Sequence, residues 1–209
     1  MTMAKIHPNP LKKCSSSSNT SSTFSEKEVY TLWMKSLVFH GNGCTVFNSR
    51  GAVVFRVDNY QKRCSRRVIL MDSNGKILFS INRKKMRICG CWEGFEWAEN
   101  SSAKKACFRV SRNCNTFLSR GISLRVDFAK HGEDGIRYKR CYRIVGLEGK
   151  SALKIMDFED HLVAEAVQKQ SAEGVSLGED VLTLMVEPQA DQSLVMALVT
   201  VYGLINKKI

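Results

Sequence analysis

From Val29 onward the chain reads as short apolar runs separated by turn signals, with almost no proline to interrupt them. In Ser123-Leu124-Arg125-Val126-Asp127-Phe128 apolar and polar residues alternate, the period-two pattern of a strand with one wet face. Three segments repeat one plan. Thr45–Phe47 passes through Asn48-Ser49-Arg50-Gly51 into Ala52–Phe55. Val68–Met71 passes through Asp72-Ser73-Asn74-Gly75 into Lys76–Phe79. Leu153–Met156 passes through Asp157-Phe158-Glu159-Asp160 into His161–Ala164. In each, the Asx side chain can accept from backbone two residues on, and the fourth residue (Gly51, Gly75 or Asp160) tolerates a left-handed dihedral. The plan predicts three β-hairpins with short loops. Further strands are expected at Tyr30–Phe39, Met86–Trp92, Ala106–Val110, Ile122–Phe128, Arg137–Leu147 and Val181–Val186. Together these make about twelve strands, spaced as in an all-β sandwich or barrel.

The last segment departs from this pattern. Pro188 ends the final strand, Asp191 is a good N-cap, and Gln192–Ile205 is apolar at almost every position. A helix with no wet face must be buried all round; its β-branched residues leave a strand as the rival reading. Twelve strands ~4.8 Å apart and tilted ~40° close at a radius of roughly 12 Å, against nearer 8 Å for eight strands. The larger barrel has room for a helix on its axis. The expected fold is therefore all-β with one buried helix: a closed antiparallel barrel of about twelve strands around a hydrophobic C-terminal helix. Residues 1–28, with Ser15–Ser18 and Thr20–Thr23, read as a disordered Ser-rich leader, and residues 29–209 as the barrel domain.

Composition adds little to the fold and more to the location. The 209 residues are 44% hydrophobic and 25% charged, which excludes a largely disordered chain, a collagen-like fibre and a multi-span membrane protein. The N-terminus lacks the apolar core of a signal peptide. Leu194–Ile205 would span roughly 18 Å as a helix, short of the ~30 Å bilayer core. No transmembrane span is expected, and the chain reads as cytoplasmic, with peripheral membrane or nuclear location open, and not secreted. The eight cysteines contain no CxxC; they read as reduced, buried thiols rather than zinc ligands. The sequons at Asn19 and Asn100 then read as chance matches.

Charge does change the picture. The net charge is +12, and it is unevenly spread. Residues 29–150 hold 24 basic against 9 acidic side chains, a net of +15, whereas residues 151–209 hold 4 against 9, a net of −5. Such asymmetry marks a surface for phosphate-bearing partners. Three clusters stand out: Lys62, Arg63, Arg66 and Arg67; Arg83, Lys84, Lys85 and Arg87; and Arg137, Lys139, Arg140 and Arg143. In a regular strand, Arg137 and Lys139 share a face with Cys141 and Arg143. The first two clusters are the candidate anion- or lipid-binding residues; solvated strand faces are the plain alternative. Basic residues close to an anionic membrane contribute about 1 kcal/mol each. Nucleic acid is the rival ligand, although no zinc finger, helix-turn-helix or RNP-like word is present. Trp33, Trp92 and Trp97 read as core or rim residues. For an enzyme the signals are missing: His7, His40, His131 and His161 are scattered, and neither a Gly-x-Ser-x-Gly elbow nor a P-loop occurs. Gly41-Asn42-Gly43 reads as a turn, and Glu159, Asp160 and His161 as a hairpin tip. No catalytic residue, metal or cofactor is expected.

Several words, in their order, carry a family likeness. They are Trp33–Phe39, Gly41–Phe47, Phe55–Tyr60, Leu70–Gly75 and Trp92–Phe95, then Val163–Val167, Leu177–Val181 and Asp191–Val201. The chain resembles the LURP-one-related family of plant proteins over roughly Val29 to Leu204. Asn48 stands where that family suggests Asp, and Gly203 where it suggests a polar residue. The resemblance implies a tubby-like fold, shared with phosphoinositide-binding tubby proteins and with phospholipid scramblases, and an association with pathogen defence. It carries over no tubby lipid-binding residue. The expected function is a non-enzymatic binding or signalling module at phosphoinositide or anionic lipid. The alternative is a nuclear protein- or nucleic-acid-interaction module linked to transcription.

Overall fold

In the computed structural model, which describes residues 26–35, 42–59, 67–84, 90–97, 105–112, 121–132, 135–147 and 152–209, the three Asx hairpins form by one hydrogen-bond scheme. Asn48 Oδ1 accepts from the amides of Arg50 and Ala52 at 3.0 Å each. Asp72 Oδ1 accepts from Asn74 and Lys76 at 2.9 Å each. Asp157 Oδ1 accepts from Glu159 at 2.8 Å and His161 at 2.9 Å. The fourth residues are left-handed, with φ of 77° at Gly51, 82° at Gly75 and 64° at Asp160. Just before each turn the register slips, at Val46/Phe47, Leu70/Met71 and Ile155/Met156, as a bulge requires.

The described strands are β1 (Glu28–Trp33), β2 (Asn42–Phe47), β3 (Val53–Asn59), β4 (Arg67–Asp72), β5 (Ile77–Lys84), β6 (Cys91–Glu96), β7 (Lys105–Arg112), β8 (Gly121–Gly132), β9 (Gly135–Leu147), β10 (Leu153–Met156), β11 (Leu162–Gln168) and β12 (Val181–Val186). Each pairs antiparallel with the next, and β1 pairs with β12 from Glu28↔Val186 to Trp33↔Val181, which closes the barrel. Closure leaves no sheet edge to template aggregation. Beyond that seam Asp180 lies 2.7 Å from the Lys35 ammonium and accepts from Trp33 Nε1 at 3.3 Å. The Lys35 hydrogen bond holds the Asp180 carboxyl below its usual range, against some desolvation.

The helix expected from its unbroken apolarity is α1 (Gln192–Ile205), with Asp191 as N-cap accepting from Leu194 N at 3.1 Å. Nine consecutive residues, Val195 to Gly203, are buried. They meet inward-facing side chains from around the wall, among them Leu32, Val57, Leu70, Ile81, Phe108, Leu124, Ile144, Ile155 and Leu184, each essentially inaccessible. At ~1.5 Å per helical residue and ~3.3 Å per strand residue, fourteen helical residues and six-residue strands have matching lengths of roughly 20 Å. Both polar groups inside the helix are satisfied. Thr200 Oγ1 donates to Met196 O at 2.8 Å, and the Tyr202 hydroxyl donates to Ala152 O at 3.1 Å. The helix starts at the end of the barrel that carries the Asx hairpins, here the turn end. It runs to the far end, where Ala152 precedes β10.

Three expectations are corrected. The strand expected at Met86–Trp92 lies at Cys91–Glu96; residues 85–89 fall outside the described residues. Asn42 and Gly43 are strand rather than turn, paired with Asn59 and Asp58. In β9 the register skips Cys141, so Arg143 pairs with Arg125 but Lys139 pairs with Phe128. The skip places Lys139 and Arg143 on opposite faces, not on one. Residues 36–39 of the first expected strand, and 1–25 of the expected leader, lie outside the described residues; Glu28 already belongs to β1.

The hairpin scheme is directly testable. Asp72→Ala removes two backbone acceptor contacts at a turn and is expected to cost about 1–2 kcal/mol. Asp72→Asn keeps the Oδ1 acceptor, as Asn48 does in the first hairpin, and is expected to stay within about 0.5 kcal/mol of wild type. Urea denaturation of both variants checks the pair; equal losses would mean that the carboxylate charge, not the turn acceptor, matters.

Candidate anion-binding face

Because the strands follow one another around the wall in chain order, the charge asymmetry of the sequence becomes a spatial one. The +15 segment builds β1, apart from Glu28, through β9, and the −5 segment builds β10 through β12 and α1. One sector of the wall is thus basic, and the sector across the β9–β10 boundary is acidic.

The candidate residues fall at the far end of the basic sector. Arg67 opens β4 opposite Asn82, while Arg83 and Lys84 close β5 opposite Trp92 and Cys91. The described ends of the two leading clusters therefore emerge from adjacent strands at one end of the barrel. Lys62, Arg63, Arg66, Lys85 and Arg87 lie outside the described residues. Arg67, Arg83 and Lys84 are all exposed. Arg67 Nε donates to Ser80 Oγ at 3.1 Å, and Lys84 Nζ stands 3.4 Å from Glu93 Oε1. Arg83 has the parity of inward Ile81, so it sits on the rim; of the tryptophans, Trp92 is buried and Trp97 exposed.

The outer wall of the same sector holds cations that the sequence runs do not reveal. Glu93 on β6 is 7% exposed and is gripped by Arg109 of β7, Nε at 3.0 Å and Nη2 at 2.7 Å, as well as by Lys84. A carboxylate this buried persists because it is paired and hydrogen-bonded. Asp127 on β8, also buried, pairs with Arg125 at 3.1 Å, and Asp58 on β3 with Arg56 at 3.0 Å. Arg125 and Arg143 stand directly opposite one another across β8 and β9. The period-two alternation in Ala106–Val110 and Ile122–Phe128 is the signal that places Arg109 and Arg125 outward. Only the register brings them beside Glu93 and Arg143.

Nucleophilic chemistry finds little support among the described residues. Burial pushes the Cys44 thiol up to about 12. Burial and then the Glu93 charge raise that of Cys91, although Arg109 and Lys84 oppose them. Both are protonated thiols rather than thiolates. Glu159, Asp160 and His161 form an exposed tip, with His161 Nδ1 3.3 Å from Asp157 Oδ2. Among the described residues no group of His, Cys, Asp and Glu is arranged to hold a metal ion, and no helix is long and apolar enough to cross a membrane.

Comparisons with known proteins agree with this architecture. A family model described as LURP-one-related matches residues 28–203. Protein LURP-one-related 11 of Arabidopsis thaliana is 41% identical over 212 residues, covering 98% of this chain and 90% of that protein. Protein LURP-one-related 3 of the same plant is 43% identical over 188 residues, covering 88% and 82%. An X-ray structure of an Arabidopsis thaliana protein superposes with a TM-score of 0.59 at 16% identity, covering 86% of this chain and 91% of that one; at that identity it speaks for the fold.

Proposed function

The chain belongs to the LURP-one-related family, and from that premise we propose that it is a non-enzymatic binding module that docks peripherally on phosphoinositide or other anionic lipid through its basic sector. The observation that carries this reading is the gathering of the two leading clusters' described ends, Arg67 with Arg83 and Lys84, on adjacent strands at the far end. They lie in the +15 segment and away from the −5 segment. A surface of one sign focuses its field on anionic partners and steers their approach. The closed barrel supplies the platform for such a surface.

The test is liposome flotation of the purified protein at near-physiological salt, with and without phosphoinositide in otherwise matched anionic vesicles. At about 1 kcal/mol per basic residue near the surface, replacing Arg83, Lys84, Lys85 and Arg87 by Gln is expected to weaken binding by roughly 10³-fold. Circular dichroism confirms that the variant is folded. Failure of the folded wild-type protein to bind either vesicle overturns the lipid reading and turns attention to nuclear protein or nucleic-acid partners.

A further inference from the structure

Arg125 and Arg143 present an electrostatic arrangement that the fold does not explain. Directly opposite residues on one face of an antiparallel pair stand ~4.5–5.5 Å apart at Cα, and like charges in that position repel. Both side chains point outward, since their neighbours Leu124, Val126 and Ile144 are buried in the core. Each has one carboxylate partner, Asp127 two residues further along β8 and Asp160 at the β10–β11 turn. Arg125 Nε is 3.1 Å from Asp127 Oδ2, and Arg143 Nη2 is 2.8 Å from Asp160 Oδ1. Arg143 Nε is buried without a hydrogen-bond partner, although a guanidinium offers five N–H donors. Next to Arg125 on the other side stands Ser111, with Cys91 beyond it. The facing groups are thus two guanidinium forks and a hydroxyl, with both carboxylates already engaged.

We propose that Arg125 and Arg143 form a seat for a phosphoryl anion on the outer wall of β8 and β9, bridged by the phosphoryl oxygens, with the Ser111 hydroxyl as a further donor. A phosphoryl group offers at least three acceptor oxygens and matches guanidinium forks. One such group satisfies both arginines at once and cancels the repulsion between them. A carboxylate, with two oxygens, duplicates what Asp127 and Asp160 already supply. The phosphoryl chemistry is shared by an inositol phosphate headgroup and by free phosphate. Assignment to a lipid headgroup rests on the function proposed above; the seat itself does not.

Three arms separate the sources. The Arg side-chain Nε–Hε resonances of the full chain are titrated with inorganic phosphate and with soluble inositol trisphosphate, and vesicle binding is measured in parallel. The Arg125→Gln/Arg143→Gln variant is compared with Arg50→Gln/Lys130→Gln, which removes the same charge from exposed positions elsewhere. The expected result is saturable shifts of the Arg125 and Arg143 signals. Inositol trisphosphate affinity should fall at least tenfold further in the seat variant than in the control. Without anion, the seat variant should melt lower than wild type, because Asp127 and Asp160 lose their partners, so both variants are compared at a temperature where circular dichroism shows them folded. Equal losses in the two variants, or no arginine shift, overturns the seat. If vesicles bind and the seat variant binds them as the control does, the seat fails and the lipid function stands. If soluble inositol trisphosphate binds through the two arginines but vesicles do not, the seat stands and the lipid function falls.

Discussion

Gly146→Ala is expected to destabilise the barrel by about 4 kcal/mol, a large part of the ~5–15 kcal/mol that holds a typical domain. An alanine Cβ at this position would stand 2.5 Å from Tyr202 Cζ and closer still to its hydroxyl. Tyr202 is wholly buried on α1, and its hydroxyl is committed to Ala152 O. The ring cannot swing aside without abandoning that bond inside the barrel. The loss thus combines overpacking with a broken buried hydrogen bond, each worth about 1–3 kcal/mol. A double-mutant cycle identifies the cause. Tyr202→Leu alone should destabilise, but combined with Gly146→Ala it should cost at least about 1.5 kcal/mol less than the two separate losses added together. Strict additivity in urea denaturation would show that the Gly146–Tyr202 approach is not what limits the site.

Leu198→Asp is expected to abolish the folded state near neutral pH. Leu198 is fully buried in the middle of α1, within the hydrophobic core cluster. An unpaired carboxylate there carries a desolvation penalty of at least several kcal/mol. Desolvation raises a buried carboxyl above its unfolded value. The stability that remains is then fullest below the unfolded pKa and is lost as pH rises through the folded pKa. Leu198→Met keeps the volume and should cost less than about 1.5 kcal/mol. A native far-UV spectrum and cooperative melt for Leu198→Asp at neutral pH would mean that the helix is not the interior of this barrel.

Much of the fold was legible because its signals are local. Asn48, Asp72 and Asp157 each sit three residues before a left-handed position, so the turn chemistry is complete within a few residues. The helix announces itself by having no polar face, and Asp191 marks where it begins. What failed is what depends on distant residues. Glu93 and Gly94 are poor strand formers, yet they lie in the middle of β6. Glu93 is held by Arg109, sixteen positions away, and Gly94 is needed because any Cβ would collide with the Phe108 ring. The skipped residue in β9 likewise has no mark in the sequence; it exists because Val126↔Tyr142 is followed by Asp127↔Arg140. The basic site divides in the same way. Runs such as Arg83-Lys84-Lys85 are visible as runs and Arg143 belongs to the third cluster, whereas Arg109 and Arg125 stand alone in sequence; Arg125 meets Arg143, and Arg109 meets Glu93, only through strand register.

The seam between β1 and β12 has a consequence for how the molecule comes into being. Nearly all strand pairings join neighbours in sequence, and such hairpins form within about 1–10 μs. The exception pairs Glu28 with Val186, and it is made only after almost the whole wall exists. The helix that fills the interior follows β12 in the chain. During synthesis at roughly 5–20 residues per second, the ribosome therefore carries, for many seconds, an open curved sheet with one raw apolar face and two unpaired borders. The partners of both border and face, β12 and α1, come last in this order. The chain order thus puts the two elements that cover the open borders and the apolar face after the rest of the wall.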